Sequence, residues 1–129
     1  MSTFQLSLVI ASQEPQKLAE FYAFATKGDL QSGEDVHHYL IVNGNGMHIQ
    51  IYRPSKKRAW SNKFAATSLC LQQSPSIDPL AQIDQWISRL VLKGASVVEE
   101  PRNESFGAEC WLSDPDGNHF LIFAPIIKK

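Results

Sequence analysis

Two histidines stand at matching places in two copies of one short pattern. The segment Gly46-Met47-His48-Ile49-Gln50-Ile51-Tyr52-Arg53-Pro54 lies over Gly117-Asn118-His119-Phe120-Leu121-Ile122-Phe123-Ala124-Pro125, with glycine, histidine, isoleucine and proline matched and an aromatic ring at Tyr52 and Phe123. Imidazole titrates near neutral pH, donates and accepts hydrogen bonds, and ligates metals. His48 and His119 are therefore the first candidates for acid–base or ligand chemistry; the plain alternative is a pair of partly exposed strand histidines. Gln50 and Leu121 share their parity, about 6–7 Å further along each strand. Trp111 offers a flat apolar surface to a planar ligand, or fills core. His37-His38 is no metal pair, because adjacent strand residues face opposite sides; only His38 has the parity of the candidate face.

The elements that must position these groups also come in duplicate. Glu14-Pro15 and Asp78-Pro79 read as an acidic N-cap followed by proline at the first helical position. Lys27-Gly28 and Lys93-Gly94 read as a basic last turn and a glycine cap. Between them run two apolar stripes at helical spacing, Leu18, Phe21, Tyr22, Ala25 and Leu80, Ile83, Ile87, Leu90. Strand-like runs precede each helix (Leu6 to Ala11, Ala65 to Leu71). Others follow it: His37 to Val42 and Met47 to Tyr52, then Ala95 to Glu99, Ala108 to Ser113 and His119 to Phe123. The strand between Gly28 and Val36 is poorly marked. The reading is an α+β fold of two β-α-β-β-β modules forming one domain, with module 1 over about 1–54, a linker over about 55–63 and module 2 over about 64–129. Each module leaves one sheet face uncovered by its single helix, and closing the two faces on each other would leave a shared cavity.

Asp114-Pro115-Asp116-Gly117-Asn118 sets the expected register of the last hairpin. Aspartate accepts from its own turn, proline presets φ, and glycine takes the positive φ that ends a type I turn with a bulge. A three-residue loop between Asp114 and Asn118 puts Ser113 opposite His119, Leu112 opposite Phe120 and Trp111 opposite Leu121. Leu112 and Phe120 then face the helix, while Trp111, His119 and Leu121 face the cavity, as Leu40, His48 and Gln50 do in the first module.

Composition narrows the function classes. A chain of 129 residues, 43% apolar with net charge −1, can bury a core and carries no charge excess that would call for nucleic acid or an anionic membrane. Met1-Ser2-Thr3-Phe4-Gln5 has no basic leader region, and Leu8-Val9-Ile10-Ala11 is too short for a signal core, so the expected location is cytoplasmic. Cys70 and Cys110 lie in apolar runs and are expected as buried thiols in a reducing compartment. Arg53, Lys56, Lys57, Arg58 and Lys63, with Trp60 among them, read as a solvated linker, or else as an attractant for an anionic ligand or a partner subunit.

Phe21-Tyr22 late in the first helix, Gly94 before a strand, Phe106-Gly107 and the Asp114–Asn118 turn together resemble the vicinal oxygen chelate superfamily, the group of glyoxalase I, bleomycin resistance proteins and extradiol dioxygenases. The likeness spans essentially the whole chain and implies two β-α-β-β-β modules. It also implies a divalent metal held by inward side chains, usually His, Gln or Glu, from the first and last strand of each module. Carried over by position, these are Ser7, Gln50, Ser68 or its neighbour Thr67, and Leu121, where metal-binding members usually have Glu. One amide, two hydroxyls and a leucine are a poor donor set for a divalent ion. A displaced site recruiting His48, His119 and Glu109 is the alternative. Pro101 to Gly107 resembles the family's loop at the pocket mouth, with Arg102 and Phe106 as candidate contacts there.

The expectation is a bleomycin-resistance-like protein that binds a small, partly apolar or aromatic molecule with no metal cofactor. Its candidate contacts are Ser7, His48, Gln50, Ser68, Arg102, Phe106, Trp111, His119 and Leu121, and no catalytic residue is assigned. The alternatives are a metal-dependent lyase, isomerase or dioxygenase with an atypical site, and an interaction module without a ligand. The family likeness further implies a homodimer.

Overall fold

The computed structural model describes residues 6–33, 35–44, 46–56 and 67–128. Its internal contacts divide the chain into two compact units, Met1–Lys63 and Phe64–Lys129. The basic residues Lys57, Arg58 and Lys63, together with Trp60, lie outside the described residues, as do Ala65 and Ala66.

In the first unit β1 (Leu6–Ala11) leads to α1 (Pro15–Thr26), then β2 (Asp29–Ser32), β3 (His38–Val42) and β4 (Met47–Tyr52). The sheet order is β1-β4-β3-β2, with β1 parallel to β4 and the other pairs antiparallel. α1 covers one face. Leu18, Ala19, Phe21 and Tyr22 pack over Ile41, Ile49 and Ile51, all at most 3% exposed. Each large aliphatic side chain so buried contributes roughly 1.5–3 kcal/mol. Phe21 and Tyr22 meet edge to face at 5.1 Å.

The helix ends differ from expectation in two ways. Glu14 occupies the N-cap position but makes no side-chain cap bond; Ser12 Oγ instead accepts from the Glu14 amide at 3.0 Å. At the other end the left-handed residue is Lys27, with φ +54°, and the Gly28 amide closes onto the Ala23 carbonyl at 3.0 Å. Gly28 serves a different need. A Cβ there would lie 2.5 Å from Ile41 Cγ2 and 2.6 Å from Asn43 Oδ1, so the glycine lets the helix end press against β3.

The second unit repeats the plan with β5 (Cys70–Gln72), α2 (Pro79–Leu92), β6 (Ser96–Val97), β7 (Arg102–Glu104), β8 (Gly107–Ser113) and β9 (His119–Pro125). Its order is β5-β9-β8-β6, with β5 parallel to β9 and β7 also paired to β8. The strand expected over Ala95 to Glu99 is thus only Ser96–Val97, and a second short strand, Arg102–Glu104, forms in the expected loop over Pro101 to Gly107 and shares the partner β8. Pro101, which has no amide to donate, lies in the gap between them. Asp78 caps α2 through Oδ1, which accepts from Ala81 N at 3.2 Å. The α2 stripe also includes Trp86, which is buried, whereas Leu80 and Ile87 are only partly so.

The last hairpin adopts the expected register: Ser113 pairs with His119, Leu112 with Phe120 and Trp111 with Leu121. Leu112 and Phe120 are fully buried on the helix side. Asp114, 3% exposed, organises the turn. Its Oδ1 accepts from the amides of Asp116 and Asn118, both at 2.9 Å, and its Oδ2 from Asn118 Nδ2 at 2.9 Å. Gly117 takes φ +91°, which a side chain would resist.

Candidate functional site

Strand alternation leaves each sheet with an open face away from its helix. In the first unit the register places Ser7 beside His48, and Val9 and Leu40 on either side of Gln50. His38, two residues before Leu40, shares this face. Gln50 Nε2 donates to Ser7 Oγ at 2.8 Å, and Gln50 Oε1 lies 3.1 Å from His38 Nε2. Three strands thus contribute to one chain of hydrogen bonds across the open face. His48 is half-buried beside it, between Ser7 and Val42.

On the open face of the second unit, Trp111, Leu121 and Phe123 are half-buried, and Glu109 pairs in register with Phe123. His119 is exposed at the start of β9. Phe106, 48% exposed in the β7–β8 turn, packs against Phe123 with ring centroids 5.8 Å apart. Arg102 faces Glu109 across the β7–β8 ladder and is bound by it and, at 3.3 Å, by Glu99. The hydrogen bond that Arg102 donates to Glu109, followed by the surrounding carboxylates, holds the guanidinium proton even more tightly than usual. Arg102 is therefore already engaged by carboxylates.

Ser68 is exposed and lies before β5, so it is not itself a strand residue. Cys70 takes the place beside Leu121. This corrects the expectation of two buried thiols: Cys110 is buried against the helix side, but Cys70 is exposed. Cys70 shares the face of Leu121, away from α2, so the helix does not cover it. Burial pushes the Cys110 thiol up to about 11, helped by the carboxylates of Glu99 and Asp84. Partial shielding, then Glu109, also raises Cys70 above its usual range.

The family resemblance implies a metal, and the donor chemistry here does not fit one. Ser7 and Gln50 are bonded to each other, Gln50 is also engaged by His38, and the Leu121 side chain has no donor atom. Within either unit, no three His, Cys, Asp or Glu side chains among the described residues are grouped to hold an ion. Three groups absent from the expected contacts belong to the open faces: His38 as a bonded member, and Cys70 and Phe123 by register. For His38 the parity signal was present, but its partners were not.

A shallow groove of about 590 Å³ opens elsewhere on the first unit, lined by the first turns of α1 with Val36, His37, Tyr39 and Arg53. It touches none of the candidate contacts, and its charges are mixed, with Lys17 and Glu14 paired at 3.7 Å. The chemistry of the open faces outweighs its size. Among the described residues no helix is long and apolar enough to cross a membrane.

The family model described as "Glyoxalase-like domain" matches residues 7–123. No curated protein matches the chain. Among solved structures, the hypothetical protein SA1046 from S. aureus aligns with a TM-score of 0.73 at 17% identity, covering 96% of this chain and 95% of that one. A glyoxalase/bleomycin resistance protein/dioxygenase family enzyme from Burkholderia phytofirmans PsJN gives 0.69 at 15% identity, covering 93% and 97%. TnmS3, an antibiotic binding protein from Streptomyces sp. CB03234, gives 0.62 at 22% identity, covering 96% and 97%. At these identities the likeness speaks for the fold.

Proposed function

This chain belongs to the glyoxalase-like domain family of the vicinal oxygen chelate superfamily, and from that premise we propose that it binds a small, partly apolar or aromatic molecule without a divalent metal. The observation that carries the reading is the Ser7–Gln50–His38 hydrogen-bond chain. Two of the positions that would offer metal donors are turned into neutral groups bonded to each other. The open face of the first sheet offers polar contacts at Ser7, His48 and Gln50, framed by Val9 and Leu40. That of the second offers Trp111 and Leu121, with His119, Phe106, Arg102 and Ser68 at its margins. On either face, apolar side chains with a few polar groups suit a small organic ligand. The antibiotic-binding description of TnmS3 is in keeping with this class. The reading includes a cytoplasmic homodimer.

Native mass spectrometry of the chain purified without chelators tests it. The expected result is a protein free of stoichiometric metal, able to retain or take up an organic ligand. Stoichiometric zinc, nickel, manganese or iron, lost on His48→Ala or His119→Ala, would overturn it in favour of a metal-dependent lyase, isomerase or dioxygenase.

A further inference from the structure

The hydrogen-bond chain on the first sheet has a direction. Gln50 donates through Nε2 to Ser7 Oγ at 2.8 Å, so its carbonyl oxygen is the end that faces His38 Nε2 at 3.1 Å. An amide oxygen only accepts, which requires the imidazole to carry its hydrogen on Nε2. The serine oxygen has accepted from the amide and still has its own O–H to give. No acceptor for that hydrogen is seen among the described residues, nor for the second amide hydrogen of Gln50. Both oxygens have already taken part in one bond each, so the groups of Ser7 and Gln50 left without any partner among the described residues are two donor hydrogens.

The surroundings make that polarity count. Val9 and Leu40 flank Gln50 in register, and Val42 lies beyond His48. Next to apolar side chains, a hydrogen bond gained by a ligand is strengthened, and a donor covered without a partner is costly. A ligand settling here is selected for having an acceptor where the Ser7 hydroxyl points.

We propose that Ser7 is the recognition group for a hydrogen-bond acceptor, a carbonyl or ether oxygen on an otherwise apolar molecule. Gln50 and His38 are positioning residues that hold the hydroxyl in its donating role. The inference rests on the small-molecule reading above and adds the polarity of the group that is bound.

Two measurements on the full chain test it. In the protein labelled with ¹⁵N-histidine, NMR at a pH where His38 is neutral reads its tautomer directly. The Nε2–H form is expected, and Gln50→Leu is expected to lower its population. An Nδ1–H form in the unmutated protein reverses the chain and overturns the proposal. Acetophenone and ethylbenzene, which share a ring and differ in the carbonyl, are then titrated while the backbone amides of Ser7, Leu40 and Gln50 are followed. Acetophenone is expected to bind about three- to tenfold tighter, the worth of one net hydrogen bond. Ser7→Ala removes that preference and Ser7→Thr keeps it. Equal binding of the two compounds, or a preference that survives Ser7→Ala, refutes acceptor recognition alone. Failure of both to shift any open-face amide refutes the small-molecule reading beneath it.

Discussion

Replacing Asp114 by alanine should cost more than any other polar substitution in the second unit. The carboxylate is 3% exposed and receives two backbone amides and the Asn118 side-chain amide, at 2.9 to 3.2 Å. Hydrogen bonds to a charged group contribute about 1.5–3 kcal/mol each, and donors left without a partner in a part-buried turn lose that again as desolvation. The three donors share one acceptor group, and water can reach some of the vacated space. The sum is thus smaller than three independent bonds, about 3–5 kcal/mol. With a urea m-value of about 1.5 kcal/mol/M, the unfolding midpoint should fall by about 2–3 M, a large share of a typical domain stability. Asp114→Asn keeps an oxygen for the two backbone amides but turns an NH₂ toward Asn118 Nδ2, and should cost about 1–2 kcal/mol. Urea denaturation followed by circular dichroism reads both. A loss under about 1 kcal/mol for Asp114→Ala, with an unchanged m-value, would refute the claim that this side chain holds the turn.

Gly107→Ala should destabilise the second unit, because φ is +149° and the new Cβ would run into the Ala124 carbonyl and come within 2.8 Å of Pro125 Cα; an unchanged melting temperature would contradict it. Gly33→Ala should displace His38, whose Cγ and Nδ1 would lie 2.5 Å from the added carbon, and the His38 tautomer signal should change while the fold persists. Iodoacetamide should modify Cys70 in the native protein, increasingly at alkaline pH because its pKa is raised, and reach Cys110 only after unfolding. Equal native labelling of both would sink that assignment. Cys110 keeps its proton more tightly folded than unfolded, so its contribution to stability is whole below the usual thiol value of 9.0 and disappears between there and about 11. Comparing urea midpoints at about pH 8 and about pH 10.5, Cys110→Ala should flatten the decline relative to the unmutated protein.

Local chemistry in the sequence determined much of this protein. Proline and glycine bracket both helices, and period-two apolar patterning assigns faces. The Asp114–Asn118 turn dictates the β8–β9 register, because a turn's residue types and length decide which strand residues meet. The parity of Trp111, His48, Gln50 and His38 follows from alternation alone. The tertiary structure decided what depends on partners distant in the chain. Ser7 and Gln50 bond across 43 positions and His38 and Gln50 across 12, and neither contact exists until β1 lies parallel to β4 and β3 pairs beside it. The exposure of Cys70 depends on the register that sets it beside Leu121 on the open face, and the role of Gly28 on how closely Ile41 approaches. A neighbouring residue type can be read along the chain, but a contact between strands depends on register and packing that the whole fold must supply.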